Sequence, residues 1–274
     1  MKVAFIGGGN MARSLVGGLV ARGHAPGDIV VSEPQDPLRD ALARDFGVRT
    51  LADNAAAATG ADVVVVAVKP QVMRAVCEGL AGAMRARPLL LSIAAGVRIA
   101  QFEQWLGADQ PVVRAMPNTP ALIGEGISGL IANARTTDAM RAAAASVLEA
   151  TGRVVWIDDE ASMDAVTAVS GSGPAYFFLL IEALEAAAVA QGLPADVARA
   201  LTLQTALGAA RMASGSTESP ATLRERVTSP GGTTQAALEA FEAGGFRALV
   251  ATAVARATER GRELSAAPAG PPSH

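Results

Sequence analysis

The sequence predicts an α/β fold, a doubly wound and mostly parallel sheet, followed by an all-α domain. Three observations carry this expectation. Short apolar runs alternate with helix-periodic segments from Val3 to Ile157, which is the pattern of βαβ units. The first run enters a glycine-rich turn with a helix directly behind it. From about Asp158 the strand-like runs stop and long alanine-rich segments take over. The chain therefore divides into residues 1–157, residues 158–265 and a tail, 266–274, that has no periodic pattern and is expected to be loose.

The opening "KVAFIGGGNMARSLVGGLVARG" reads as strand, turn and helix. Val3 to Ile6 is continuously apolar, as a strand buried on both faces of a parallel sheet requires. Gly7, Gly9 and Ala12 fit G-x-G-x-x-A. The first glycine permits a tight turn, the second lets a pyrophosphate approach the backbone, and Ala12 lets helix and strand pack closely. Free N–H groups at the helix start would face that pyrophosphate. An ordinary strand-turn-helix connection is the bland alternative, but the strand before and the helix after favour a dinucleotide site and hence a Rossmann-type domain.

The pattern then repeats. "DIVVSE" (28–33) reads as a second strand, with a helix over about 37–46 behind it. "VRT" is a short third strand and "ADVVVVAV" (61–68) a fourth. A helix over 71–84, the strand "PLLLSI" (88–93), a helix near 98–106 and the strand "PVVRAM" (111–116) continue the alternation. "GISGLIA" (126–132) and "GRVVWI" (152–157) flank one more helix, 136–150.

Ligands of such sheets bind at the carboxyl ends of the strands, so the residues just after each strand are informative. These are "VKP" (68–70), "AAG" (94–96) and "MPNTP" (116–120). Pro70 reads as a strand terminator. Asn118 and Thr119, held between two prolines, form a rigid polar tip at the ligand edge. Lys69 is either a solvated charge or a cofactor contact. The end of the second strand selects the cofactor: an acid accepts the ribose 2′-hydroxyl of NAD, whereas an arginine suits the 2′-phosphate of NADP. Glu33 stands there behind Ser32, and the nearest downstream arginine is Arg39. On these residues alone NADH is favoured.

In the second half, "SGSGPAYFFLLIEALEAAAVAQG" (170–192) contains a marked helix. Ser172 is its candidate N-cap, Pro174 lies near its first turn and Gly192 closes it. Phe177, Leu180, Ile181 and Leu184 form a broad apolar face at helical spacing, which is either a subunit interface or the side of a buried central helix. Further helices are expected over 195–213, 219–227, 233–243 and 246–264. "VTSPGGTT" (227–234) interrupts them with a loop that packs no core. It directly precedes a helix, so its free N–H groups and glycines suit an anion, and Thr233 and Thr234 add hydroxyls. By itself it is a capped helix start; beside a dinucleotide site it reads better as a cradle for a small carboxylate substrate.

Composition narrows the chemistry. Half of the residues are apolar and 18% are charged, which suits a globular protein. The net charge of −3 without a basic block gives nucleic acid no purchase. A strongly apolar run such as Val63 to Val68 is too short to span a bilayer, and Met1-Lys2 leading straight into the first strand is read as leaving no room for a signal peptide. A cytoplasmic protein with no membrane partner is expected. One cysteine, Cys77, and two histidines, His24 and His274, exclude an internal disulfide and a thiolate metal cluster, and leave almost nothing for a zinc site or a Ser-His-Asp triad. No metal is expected. Lys2 and Lys69 are the only lysines, and the sole tyrosine, Tyr176, has Leu180 four residues on, so the Tyr-x-x-x-Lys pair of short-chain dehydrogenases is absent. Chemistry must lean on a bound cofactor, hydroxyls and backbone groups.

"FIGGGNMA", "AVKPQ", "SIAAGV", "MPNTP", "SGSGPAY" and "VTSPGGTT", in that order and spacing, resemble the Δ1-pyrroline-5-carboxylate reductases, the enzymes of the last step of proline biosynthesis. The likeness runs from Met1 to about Leu264. "SGSGPAY" with "SPGGTT" is specific; the glycine fingerprint alone is not. The resemblance implies a Rossmann domain followed by a helical dimerisation domain, in dimers that often assemble into decamers. It implies hydride transfer from NADPH or NADH to C5 of a cyclic imine, giving L-proline. It implies that Ser229, Gly231, Gly232 and Thr233 hold the substrate carboxylate, that Thr234 lies by the ring nitrogen, and that Asn118 and Thr119 lie near the nicotinamide. It also assigns cofactor contacts to Gly7, Gly8, Gly9, Asn10, Met11, Asn54, Val68, Lys69, Pro70, Ala94, Ala95 and Gly96. A protonated imine is already electrophilic, so positioning can supply much of the catalysis, in keeping with the scarcity of strong acids and bases. Glu33 departs from the pattern: many members prefer NADPH and carry small or basic residues there, and a carboxylate would repel a 2′-phosphate.

Two other readings stand beside this one. A β-hydroxyacid dehydrogenase also joins a Rossmann domain to a helical one, but relies on a lysine in the helical part, and this chain has none beyond Lys69. A non-catalytic nucleotide-binding module predicts a degenerate loop at 228–234, which is not what those residues show.

Overall fold

In the computed structural model, which describes residues 1–266, eight strands form one sheet. They are β1 (Val3–Ile6), β2 (Ile29–Ser32), β3 (Arg49–Leu51), β4 (Val63–Val66), β5 (Leu89–Ser92), β6 (Val112–Met116), β7 (Gly126–Ala132) and β8 (Gly152–Trp156). Their order is β3-β2-β1-β4-β5-β6-β7-β8. The chain leaves β1 to one side for β2 and β3, then crosses back to β4 on the other side, so the switch point lies at the carboxyl ends of β1 and β4. All pairs are parallel except β6 with β7. That reversal follows from the connection: the short 3₁₀ turn Thr119–Ile123 and a left-handed Gly124 are too brief for a parallel crossover.

Six helices pack on the sheet: α1 (Asn10–Ala21), α2 (Asp36–Phe46), α3 (Asn54–Ala58), α4 (Pro70–Leu80), α5 (Ile99–Leu106) and α6 (Asp138–Glu149). Strand residues alternate between two cores. Val3 and Phe5 join Leu15, Val31 and Leu91 on one face, while Ala4 and Ile6 join Val64, Met73 and Phe102 on the other. This is why the strands read as unbroken apolar runs. The helix expected over 71–84 ends at Leu80, and a separate 3₁₀ turn covers Ala83–Ala86 behind Gly82. The short α3 went unpredicted; Asp53 caps it by accepting the Ala56 N–H at 2.7 Å.

After β8 come α7 (Met163–Val166), a wide π turn over Thr167–Gly171 and α8 (Gly173–Ala190). The helical run thus begins earlier than the expected N-cap at Ser172. Ser172 has helical backbone angles, and its N–H donates to the Thr167 carbonyl at 2.8 Å. It caps nothing, because the preceding turn is already helical. The remaining helices are α9 (Ala195–Gly215), α10 (Pro220–Arg226), α11 (Thr233–Ala243) and α12 (Phe246–Ala266). The last residue of α12, Ala266, was assigned to the loose tail; the rest of that tail lies outside the described residues.

Two compact units result: residues 1–172 together with 257–266, and residues 173–256. The strands end at β8, near the expected boundary at 157, but the turns up to Ser172 and the end of α12 belong to the first unit. There Ser265 Oγ donates to Asp164 Oδ1 at 3.2 Å. Buried positions in the second unit, by contrast, are confined to Gly173, Ala198 and Thr202. Phe177, Phe178 and Leu179 of α8 are 68%, 66% and 66% exposed. The alternative of α8 as a helix buried within its own chain is thereby removed.

Candidate active site

The glycine turn is built as the fingerprint requires. Gly7 has a left-handed φ of 100°, and a Cβ there would stand 2.8 Å from the Ala67 carbonyl oxygen. Only glycine fits such a position. Gly9 faces open space, with nothing within 4 Å of the site of an added Cβ, so the backbone there is free to be approached. It is also the N-cap of α1 and no side chain caps it, leaving the helix's first N–H groups and its dipole to an anion. Asn10 and Met11 are the first residues of that helix, and Ala12 is buried beneath it. This open, uncapped turn fits a dinucleotide's pyrophosphate.

Beside it, Glu33 is buried (7% exposed). Its Oε2 accepts the Gly8 N–H at 3.0 Å and its Oε1 the Gln35 N–H at 3.1 Å. Arg39 does not pair with this carboxylate. Its Nη1 donates to the Glu33 main-chain carbonyl at 2.6 Å, and its Nη2 is engaged by Asp36. Ser32 Oγ donates to Asn54 Oδ1 at 2.6 Å, joining the end of β2 to the start of α3. These residues form one cluster at the carboxyl ends of β1 and β2.

The other rim residues lie at strand ends as expected. Val68 and Lys69 follow β4; Lys69 is exposed and N-caps α4, and Pro70 occupies the first turn of that helix. Pro70 therefore starts a helix rather than merely ending a strand, because its missing N–H and fixed φ suit that position. Ala94 is buried, Ala95 exposed, and Gly96 takes a left-handed φ of 76° facing the Leu264 backbone of α12.

Asn118 and Thr119 part company. Thr119 is exposed at the start of its 3₁₀ turn. Asn118 is buried, with Oδ1 accepting the Ile127 N–H at 3.0 Å and Nδ2 donating to the Ser170 carbonyl at 3.2 Å. It ties the "MPNTP" segment to the π turn, and Met116 Cε lies 2.6 Å from where a Gly171 Cβ would be. The two motifs therefore pack directly on each other.

In the second unit, residues 228–232 fold into a tight loop ahead of α11. The Gly232 N–H donates to the Ser229 carbonyl at 3.0 Å, and Gly231 is left-handed with φ 68°. The Gly231 N–H donates to Gln235 Oε1 at 2.8 Å, an internal partner that sequence reasoning missed. Gly232 is the N-cap of α11 without a side-chain cap, and Thr233 and Thr234 open the helix, so the first-turn N–H groups have no intrahelical acceptor. Also missed was a polar cavity lined by Arg98, Arg114, Glu160, Asp164 and Arg262, in which buried Arg114 pairs with Glu160 at 3.0 Å. The only signal for it was a charge in the otherwise apolar run "PVVRAM".

An open glycine turn at the switch point of a doubly wound sheet, with a helical second unit, defines a dinucleotide-binding oxidoreductase of the Rossmann-plus-helical class. Residues 2–96 match the family model described as NADP oxidoreductase coenzyme F420-dependent, and residues 160–264 the model described as pyrroline-5-carboxylate reductase dimerisation. A pyrroline-5-carboxylate reductase of Pseudomonas aeruginosa is 53% identical over 264 residues, covering 96% of this chain and 97% of that one. The solved structure of one from Coxiella burnetii superposes with a TM-score of 0.95 at 44% identity, covering 97% and 99% of the two chains. One from Plasmodium falciparum, solved with NADP bound, gives 0.85 at 29% identity over 97% and 98%. The chain belongs to the pyrroline-5-carboxylate reductase family. It is an NAD(P)H-dependent oxidoreductase and carries the family's dimerisation domain.

Proposed function

We infer that this protein reduces L-Δ1-pyrroline-5-carboxylate to L-proline, closing proline biosynthesis in the cytoplasm, and that it works as a homodimer able to assemble further into a decamer. The single observation behind the activity is family membership across 96% of the chain together with an intact glycine turn and an intact 228–234 loop. The bound cofactor supplies a hydride. The chain's own residues do the rest. In this reading Ser229, Gly231, Gly232 and Thr233 receive the substrate carboxylate through the N–H of Thr233 at the uncapped helix start and the Ser229 and Thr233 hydroxyls, while the Gly231 and Gly232 N–H groups exchange Gln235 Oε1 and the Ser229 carbonyl for it. Thr234, one position into α11, accepts a hydrogen bond on its hydroxyl oxygen from the protonated ring nitrogen. The imine nitrogen already carries its proton, so a hydride supplied at C5 would move the C=N electron pair onto nitrogen and leave a secondary amine. No strong acid is needed. Asn118 supports the site by fixing the segment beside Thr119.

The apolar run over residues 160–190 is, by length and composition, capable of crossing a membrane. We assign its exposed face to a second copy of the chain rather than to lipid, since it falls within the dimerisation match. The test is direct: protein mixed with pyrroline-5-carboxylate and NADH or NADPH is expected to consume reduced cofactor and form proline. Consumption with a 3-hydroxyacid couple but not with this imine would transfer the chain to the dehydrogenase reading.

A further inference from the structure

The structure gives Glu33 two tasks. It stands at the carboxyl end of β2, where Rossmann domains read the adenine ribose. Its carboxylate is buried and has no ion-pair partner among the described residues: the Arg39 guanidinium donates instead to the Glu33 main-chain carbonyl and to Asp36. The neighbouring Ser32 hydroxyl is taken by Asn54. A 2′-hydroxyl meeting this cluster finds a strong acceptor; a 2′-phosphate meets a negative charge that Arg39, held on the Glu33 main-chain carbonyl and Asp36, does not pair. The same two carboxylate oxygens hold the Gly8 and Gln35 N–H groups. Gly8 is the middle residue of the pyrophosphate turn, packed so closely that an added Cβ would lie 3.1 Å from Glu33 Cβ.

We propose that Glu33 makes this member of the family an NADH enzyme by two coupled means, its charge excluding the 2′-phosphate and its oxygens clamping the glycine turn that binds the pyrophosphate. Specificity and turn geometry are then not separable by a single truncation. The proposal rests on the glycine-turn cleft being the cofactor site.

Two variants separate charge from clamp. Glu33→Gln removes the charge and keeps one carbonyl oxygen for Gly8 or Gln35; Glu33→Ser removes both functions. Equilibrium binding of NADH and NADPH, followed by the fluorescence of the reduced nicotinamide, is the readout, with thermal unfolding of each cofactor-free variant as a check on the fold. Wild type is expected to bind NADPH at least about tenfold more weakly than NADH. Glu33→Gln should tighten NADPH about tenfold while weakening NADH only a few-fold. Glu33→Ser should gain less for NADPH, lose about tenfold for NADH and melt lower, because the turn is released. Wild type that binds NADPH as tightly as NADH overturns the charge role. Equal behaviour of the two variants with both cofactors overturns the clamp. Failure of wild type to bind either cofactor overturns the cofactor site itself, and the proposal with it.

Discussion

Thr234 opens α11 one residue behind Thr233, and its hydroxyl oxygen is the side-chain acceptor assigned to the protonated ring nitrogen. Thr234→Ala is expected to lower kcat/KM by about 10- to 100-fold, the size of one hydrogen bond to a charged group, and to leave NADH binding nearly unchanged. Steady-state kinetics check this, and a wild-type kcat/KM would remove Thr234 from the mechanism. Cys77 illustrates the opposite case, a reactive residue type placed where it does nothing. Burial first, and the neighbouring Glu78 second, push its thiol up to about 12 from 9.0. Below 9.0 both folded and unfolded thiols are protonated and the group is silent. Between 9.0 and about 12 only the unfolded thiol ionises, so folding stability falls as pH rises through that window. At about pH 8 iodoacetamide should label Cys77 in urea and spare it in the native protein; native labelling at the unfolded rate would contradict its burial. Residue types alone disclosed Glu33's position at the end of β2. They could not disclose that its oxygens hold Gly8, or that Asn118 spends its amide on Ile127 and Ser170, because such pairs join segments distant in sequence.

Helix α1 approaches its neighbour through a glycine: a Cβ on Gly18 would lie 2.3 Å from the Ala150 carbonyl oxygen. That atom is backbone and cannot swing aside. Gly18→Ala should therefore destabilise the sheet unit by roughly 1–3 kcal/mol, the cost of overpacking, seen as a lower Tm with the cofactor site chemically intact. An unchanged Tm would mean that α1 and the turn after α6 separate easily. At this scale the sequence was most legible where periodicity is strong. All eight strands were found: the central ones, such as Val3 to Ile6 and Val63 to Val66, are buried on both sides and read as continuous apolar runs, while the partly exposed β3 and β8 were found from their place in the alternation. The direction of β7 was less legible, although the missing helix between Met116 and Gly126 was the available signal for a reversal. The π turn at Thr167–Gly171 left no periodic trace: it is fixed by packing against Met116 and Asn118, not by local propensity.

The second unit buries too little within one chain to be stable alone, with Gly173, Ala198 and Thr202 as its buried positions; folding must be completed by association. The breadth of the α8 face was visible in "AYFFLLIEALEAAAVA", but which surface covers it was not, since a core helix and an interface helix share that pattern. We further propose that the 228–234 loop completes the site of the partner subunit. Refolding equal amounts of Gly9→Asp and Gly232→Asp chains together tests this. Neither change is barred by its backbone angles, and Gly9 has open space for a side chain. Half of the dimers are then mixed, each with one intact site, so about a quarter of wild-type activity should return. Sites contained in single chains would leave the mixture dead. The most direct measurement of the central claim is the fate of the transferred hydrogen. With NADH deuterated at C4 on the transferred face and pyrroline-5-carboxylate as acceptor, the L-proline formed should carry one deuterium at C5, as read by mass spectrometry and proton NMR. Proline without deuterium, or oxidation of NADH without proline, would contradict the account.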